Sequence, residues 1–149
     1  MFNNILCPTD LSPRAEMAVK KAVQMAHQFN SKITLLNVHE EFMNKDEMEM
    51  LRVSVEKMQD KFKEIALSAR EDMKTLIHKL HAEDIEVAFL LKEGKSSSSI
   101  IETAKSINAD LIVIGTNGKP SLSEFILGTT AEYVVRHSEC PVLVVPNAS

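Results

Sequence analysis

Residues 109–118 read ADLIVIGTNG, an apolar run that ends in two glycines three residues apart. Leu111 to Ile114 would be apolar on both faces of an extended chain, which is typical of a strand buried inside a parallel sheet. After nine further residues comes Gly128-Thr129, which opens a helical stretch from Thr130 to His137. The chain therefore carries the pattern G-x₂-G-x₉-G-[ST] between a predicted strand and a predicted helix.

This pattern is what a phosphate-binding loop requires. Three of the four glycines in the chain, Gly115, Gly118 and Gly128, lie in it. Glycine allows positive φ and a close approach of the ligand, and a helix N-terminus offers unpaired N–H groups to an anion. Thr129 has two interpretations, because Thr129 and Glu132 also form a T-x-x-E capping box. A cap and a phosphate would compete for the same hydroxyl.

Apolar runs alternate with helical patterns along the rest of the chain. The predicted strands cover residues 5–9, 33–38, 86–91, 111–114 and 142–145. Continuous apolar strands separated by helices indicate a parallel sheet with helices on both faces. We expect a single α/β domain over residues 1–149, with an open five-stranded parallel sheet of order 3-2-1-4-5. In that order Asp10 and Gly115 flank the switch point, where ligands bind in such sheets.

The segment between Lys45 and His81 has a heptad seam. Its apolar positions are Met48, Leu51, Val55, Met58, Phe62, Ile65 and Ala69, continued after a one-residue slip by Met73, Leu76 and Leu80. One helix of that length would span roughly 55 Å, whereas strands are about 20 Å long. Either the first part is a separate loop or turn, or the helix overhangs the sheet. We favour a helix that covers the sheet over a coiled-coil partner surface.

Composition and charge exclude several classes of partner. The net charge of −4 leaves no basic face for a nucleic acid, and with no Trp and one Tyr there is no stacking platform. No stretch approaches the roughly 20 apolar residues of a membrane span. The N-terminus shows no secretory leader, and Cys7 and Cys140 are isolated in apolar surroundings, as buried thiols in a reducing compartment would be. We expect a cytoplasmic protein.

Five segments of the chain are similar to one known family. They are ILCPTD (5–10), LLNV (35–38), ADLIVIG (109–115), GTTAEYVVRH (128–137) and CPVLVV (140–145). Together they resemble the universal stress protein family, over nearly the whole chain and most weakly between about residues 41 and 79. One departure is Gly94-Lys95-Ser96, where the family often has G-x-P. We expect Ser96 to act as a helix N-cap there.

The resemblance implies a Rossmann-like or flavodoxin-like fold of the adenine nucleotide alpha hydrolase type, usually a homodimer, with ATP at the switch point. It implies that Asp10 contacts the ribose or adenine side, although the residue alone also suits a turn that caps the first helix. It places the backbone of Val38 against the adenine. The implied ATP-binding set is Pro8, Thr9, Asp10, Val38, Gly115, Thr116, Gly118, Gly128, Thr129 and Thr130. AMP and ADP are alternative occupants.

Catalysis is not evident from the sequence. No Ser or Cys stands in a nucleophile motif, and no general base for hydrolysis is apparent. A Mg²⁺ or Mn²⁺ ion is expected on the phosphates because a triphosphate carries a large charge. Three interpretations stay open: an ATP-binding regulatory module with a protein partner, a slow ATPase or phosphotransfer enzyme, and an interaction protein whose pocket is incidental. A homodimer is expected through the apolar edge strand Val142–Val145.

Overall fold

The computed structural model describes residues 1–40, 55–116 and 127–146. Within these ranges five strands alternate with four helices. In chain order they are β1 (Asn4–Pro8), α1 (Glu16–Phe29), β2 (Lys32–His39), α2 (Val55–Lys79), β3 (Val87–Glu93), α3 (Ser96–Ser106), β4 (Leu111–Gly115), α4 (Thr129–His137) and β5 (Val142–Val145).

The five strands form one parallel sheet in the order β3-β2-β1-β4-β5, which confirms the predicted topology. Strand β1 pairs with β2 on one side, where Cys7 lies opposite Leu35, and with β4 on the other, where Ile5 lies opposite Leu111. From β1 the chain continues to β2, and from β4 it continues to β5 in the opposite direction. The switch point of the sheet therefore lies between the carboxyl ends of β1 and β4.

Each face of the sheet is covered by two helices. On one face α1 and α2 pack over alternate strand residues such as Cys7 and Val113. On the other face α3 and α4 pack over the residues between them, such as Leu6 and Ile112. Strand β4 contributes to both layers, and each of the four residues from Leu111 to Ile114 is buried. The prediction that this strand is apolar on both faces is confirmed.

Helix α2 covers the sheet mainly with its C-terminal half. The seam residues Ala69, Met73 and Leu76 are buried there, whereas Leu67 is 66% exposed. Its 25 residues span roughly 37 Å, which is longer than any strand of the sheet. The predicted positions Met48 and Leu51 and the chain before residue 55 lie outside the described residues, as do the side chains at positions 55 and 58.

Helix α3 begins differently from the expectation. Lys95 is its N-cap and Ser96 its first helical residue, so the prediction that Ser96 caps this helix was wrong. The reason lies in the preceding turn, where the Gly94 amide donates to the His39 carbonyl over 2.8 Å and extends the β2–β3 ladder. Only Lys95 then separates the strand pairing from the helix.

The two cysteines are unpaired and differ in burial. Cys7 is fully buried in β1, as predicted, and burial raises the pKa of its thiol to about 12. Cys140 is only partly buried, because it lies in the turn between α4 and β5. The expectation of two buried thiols therefore holds for Cys7 alone. None of the helices in the described ranges combines the length and the apolar character that a membrane span needs.

Candidate functional site

A cavity of about 260 Å³ opens at the switch point of the sheet. The sequence predicted ten site residues, and nine of them line this cavity: Pro8, Thr9, Asp10, Val38, Gly115, Thr116, Gly128, Thr129 and Thr130. The tenth, Gly118, lies outside the described residues. The structure thus brings together the ends of β1, β2 and β4 with the start of α4, although these segments are far apart in the sequence.

Eight further residues line the cavity and were not predicted. They are Ser12, Ala15, Ala18, Leu36, Ser96, Ile100, Ile114 and Ala131. Strand alternation could have found Leu36, which lies two residues before Val38 and so on the same face of β2. Ser96 and Ile100 belong to α3, and only the packing of that helix over the sheet brings them here. The apolar side chains of Leu36, Val38 and Ile100 give the cavity a wall that suits a planar, weakly polar group.

The loop after β1 is shaped by short local hydrogen bonds. The Thr9 amide donates to the Leu36 carbonyl over 2.9 Å, and the Thr9 hydroxyl accepts from the Leu11 amide over 3.0 Å. Leu11 has a φ of 64°, in the left-handed region that non-glycine residues seldom adopt. A non-glycine residue in this conformation costs about 1 kcal/mol or more. The two hydrogen bonds at Thr9 and the packing of Leu11 against the core hold it there.

Asp10 projects from this loop and is exposed. Its Oδ1 accepts a hydrogen bond from the Ser12 amide over 2.9 Å, so the side chain closes a turn. It does not cap α1, whose N-cap is Ala15. This turn uses one carboxylate oxygen, and Asp10 also lines the cavity. A turn role and a ligand role are therefore compatible in this residue.

The N-terminus of α4 lies at the cavity, beside the end of β4. The Thr116 amide donates to the Val145 carbonyl over 3.1 Å, and the Thr116 carbonyl accepts from the Gly128 amide over 2.8 Å. Gly128 is the N-cap of α4, and its carbonyl accepts from the Glu132 amide over 2.9 Å. The first amides of α4 have no acceptor within the helix, and because Gly128, Thr129 and Thr130 line the cavity, the positive end of α4 lies at it.

The capping-box interpretation of Thr129 was wrong. Thr129 is the first residue of α4, one position after the N-cap, so its hydroxyl does not cap the helix. Glu132, the other half of the proposed box, instead pairs with Arg136 over 2.9 Å. The physical reason is that Gly128 already adopts the extended N-cap conformation, with φ −65° and ψ 160°. The exposed Thr129 side chain is therefore at the cavity without a capping role.

The described residues that line the cavity carry little charge. Among its described lining residues Asp10 is the one charged side chain. An anionic ligand would therefore be held by backbone amides, by the α4 N-terminus and by any cation that it brings. The described residues contain no cluster of three or more His, Cys, Asp or Glu side chains suited to a metal.

Comparison with known proteins agrees with this fold. The family model described as "Universal stress protein family" matches residues 1–146. A putative universal stress protein of Staphylococcus aureus (strain USA300) is 33% identical over 97% of this chain and 84% of its own length.

Among solved structures, the hypothetical protein MJ0577 superposes with a TM-score of 0.80 at 27% identity, covering 100% of this chain and 99% of its own. Universal stress protein UspA from Lactobacillus plantarum superposes with a TM-score of 0.79 at 25% identity, over 97% of both chains. A universal stress protein in complex with cAMP has the same fold at 22% identity, with a TM-score of 0.64 and coverage of 97% and 96%. Because the family model matches residues 1–146 and the Staphylococcus aureus relative is 33% identical over 97% of this chain, the chain belongs to the universal stress protein family.

Proposed function

We propose that the switch-point cavity binds ATP and that this protein is a nucleotide-responsive regulatory module. The observation that carries the proposal is the N-terminus of α4, which faces the cavity with Gly128 as its N-cap and Thr129 and Thr130 in its first turn. Free amides and a positive helix end are suited to phosphate groups. Gly115 and Thr116 lie beside them at the end of β4.

The orientation of the nucleotide follows from the charges. The Asp10 carboxylate repels phosphates and accepts hydrogen bonds from hydroxyl groups, so the ribose belongs beside it. The triphosphate then extends toward Gly128 and Thr129. The adenine lies against the apolar wall near Val38, Leu36 and Ile100. Mg²⁺ or Mn²⁺ on the phosphates compensates for the lack of a cationic side chain among the described lining residues.

We propose that ATP is held rather than turned over rapidly. In-line hydrolysis needs charge neutralisation and a positioned water. The described lining residues offer one carboxylate, and we assign it to the ribose end, away from the terminal phosphate. AMP and ADP would occupy the same adenosine subsite. Universal stress proteins in complex with cAMP and with dAMP share this fold at 22% and 20% identity, which supports an adenine nucleotide by fold analogy.

The proposal includes a homodimer and a cytoplasmic location. Strand β5 is at one edge of the sheet, and three of its four residues are only partly buried. An edge strand of this kind presents unpaired backbone groups that a second copy can satisfy. The two unpaired cysteines suit a reducing compartment. A regulatory protein partner would sense the nucleotide state through the dimer.

Two substitutions at one position test the ATP site against a change in folding. Asp and Asn are both better N-caps than Gly, so Gly128→Asp and Gly128→Asn should each raise the stability of the free protein by about 0.3 kcal/mol. Only the aspartate adds a charge that repels phosphates. In calorimetric titration with Mg-ATP, we expect Gly128→Asp to bind at least about tenfold more weakly than Gly128→Asn.

Each outcome of this titration is informative. Strong binding by the wild type that is lost in Gly128→Asp, with both variants folded, supports a triphosphate at the α4 N-terminus. Equal affinities of Gly128→Asp and Gly128→Asn for Mg-ATP would mean that the phosphates do not lie at the N-terminus of α4. If the wild-type protein does not bind ATP, the proposed ATP site is wrong.

A further inference from the structure

The ladder between β1 and β2 stops one hydrogen bond early at the edge of the cavity. Even-numbered residues of β2 bond to β1, as Lys32 does to Asn3 and as Leu36 does to Thr9. The next rung of a parallel ladder would join the Val38 amide to the Thr9 carbonyl. That rung is not formed between these two described residues. The Thr9 carbonyl instead accepts a hydrogen bond from the Asn37 side chain, with Nδ2 at 2.9 Å.

The Asn37 amide can be oriented in only one way. A carbonyl oxygen only accepts hydrogen bonds, so the atom facing Thr9 is Nδ2 and not Oδ1. Asn37 is 4% exposed, and its Oδ1 is buried without a hydrogen-bond partner among the described residues. A leucine of similar size would pack here without an unpaired oxygen. Core packing therefore does not account for an asparagine at this position, whereas the bond to Thr9 does.

The hydrogen bond between Asn37 and Thr9 affects the backbone groups of Val38. The Val38 amide and carbonyl both point toward the β1 side of β2, beyond the residue where β1 ends, and Val38 lines the cavity. With the Thr9 carbonyl occupied by Asn37, the backbone edge of Val38 is not drawn into the sheet. That edge offers one donor beside one acceptor, which complements the acceptor and donor on an edge of adenine.

We infer that Asn37 is a positioning residue that keeps the backbone edge of Val38 open to the base by occupying the Thr9 carbonyl. It acts through Thr9 and Val38 and does not itself touch the ligand. The same bond fixes the loop that carries Asp10, so the base and ribose ends of the site are set by one buried amide. This inference rests on the proposed ATP site and adds to it the residue that determines base selectivity.

The first test compares four proteins by calorimetric titration with ATP and with inosine triphosphate, whose base edge carries the opposite donor and acceptor arrangement. Asn37→Leu removes the donor, and Asn37→His restores an N–H at the position of Nδ2. Thr34→Val is the matched control, since Thr34 is also buried on β2 but lies opposite Leu6, away from the loop.

We expect Asn37→Leu to bind ATP about tenfold more weakly, the effect of roughly one hydrogen bond, and to lose the preference for ATP over inosine triphosphate. Asn37→His should recover both properties at least in part, and Thr34→Val should keep both. A folded Asn37→Leu protein with wild-type affinity and selectivity would overturn the inference while leaving the ATP site intact. A wild-type protein that binds no ATP is the separate failure of the proposed function.

The second test needs neither a variant nor a nucleotide. In the free wild-type protein, hydrogen exchange of individual amides should be at least about tenfold faster at Val38 than at Leu36, whose amide is held in the β1–β2 ladder. Equal protection of the two amides would mean that the Val38 rung is closed, and the inference would then be wrong even if ATP binds.

Discussion

The Gly128 amide donates a hydrogen bond to the Thr116 carbonyl over 2.8 Å, and this bond joins the N-cap of α4 to the residue that follows β4. It holds Thr116 and Gly128 next to each other although they are twelve positions apart in the sequence. The start of α4 is thereby held against the switch point of the sheet.

Substitutions at Thr129 test ligand binding separately from helix capping. Because its hydroxyl does not cap α4, Thr129→Val should change the free energy of unfolding by less than about 0.5 kcal/mol. The hydroxyl is lost from the proposed phosphate site, so the affinity for Mg-ATP should fall about threefold to tenfold. Thr129→Ser keeps the hydroxyl and should bind like the wild type. Titration calorimetry and urea unfolding measure the two effects, and a stability loss above about 1 kcal/mol would restore the capping interpretation.

Asp10→Asn tests the ribose assignment without removing the turn. Asparagine keeps an Oδ1 that can accept from the Ser12 amide, so the loop should retain its shape. The charge-assisted bond to a ribose hydroxyl is weakened, and we expect ATP to bind about tenfold more weakly. The affinity for 3′-deoxy-ATP should change less than that for ATP. Asp72→Asn, at an exposed site on α2, is the matched control. Equal losses for the two nucleotides would place Asp10 away from the 3′-hydroxyl of the ribose.

Substitutions at different positions along helix α2 should differ in how strongly they reduce the stability of the protein. Met73 is 1% exposed and packs in the core between α1, α2 and the sheet, so Met73→Ala should cost about 2–5 kcal/mol of stability. Leu67 is 66% exposed, and Leu67→Ala should cost less than about 0.5 kcal/mol. Chemical denaturation of both variants provides the comparison. A large loss at Leu67 in the dilute protein would indicate that this face is covered by a second chain.

The sequence predicted those features that depend on repeated local patterns. The double-sided burial of β4 follows from four consecutive apolar residues, and the sheet order follows from the alternation of strands and helices together with the family resemblance. Residues such as Ile100 could not be found this way, because their place at the cavity depends on how α3 crosses the sheet. The Asn37 bond was missed because a single buried amide has no periodic signature. The predicted capping roles of Ser96 and Thr129 were wrong, because the preceding turn decides which residue becomes the N-cap of each helix.

The pair between His27 and Asp84 should make stability depend on pH at the acid end. A hydrogen bond from His27 Nε2, at 3.1 Å from Oδ2, holds the pKa of the Asp84 carboxyl below its ordinary value of 3.8. A carboxyl whose pKa is lowered in the folded state stabilises it fully above the unfolded pKa and loses this effect as the pH falls through the folded pKa. The contribution is therefore present at neutral pH and fades below about pH 4.

Asp84→Asn should remove this acid-dependent part. Because the Asp84 side chain is exposed, the effect is small and screened by salt. Urea unfolding between about pH 6 and pH 3, at low ionic strength, should show a shallower loss of stability in the variant than in the wild type. Parallel curves for the two proteins would show that the pair does not contribute.

The edge strand β5 provides the test of the proposed dimer. Val144 is half-buried at this edge, and Val144→Lys would place a charge where a second copy is expected to pair. Light scattering should then give the mass of one chain, where the wild type gives twice that mass. Val87→Lys makes the same change on β3 at the opposite edge of the sheet and should leave the dimer intact. A folded β5 variant that remained a dimer would place the interface elsewhere. A β3 variant that became a monomer would do the same.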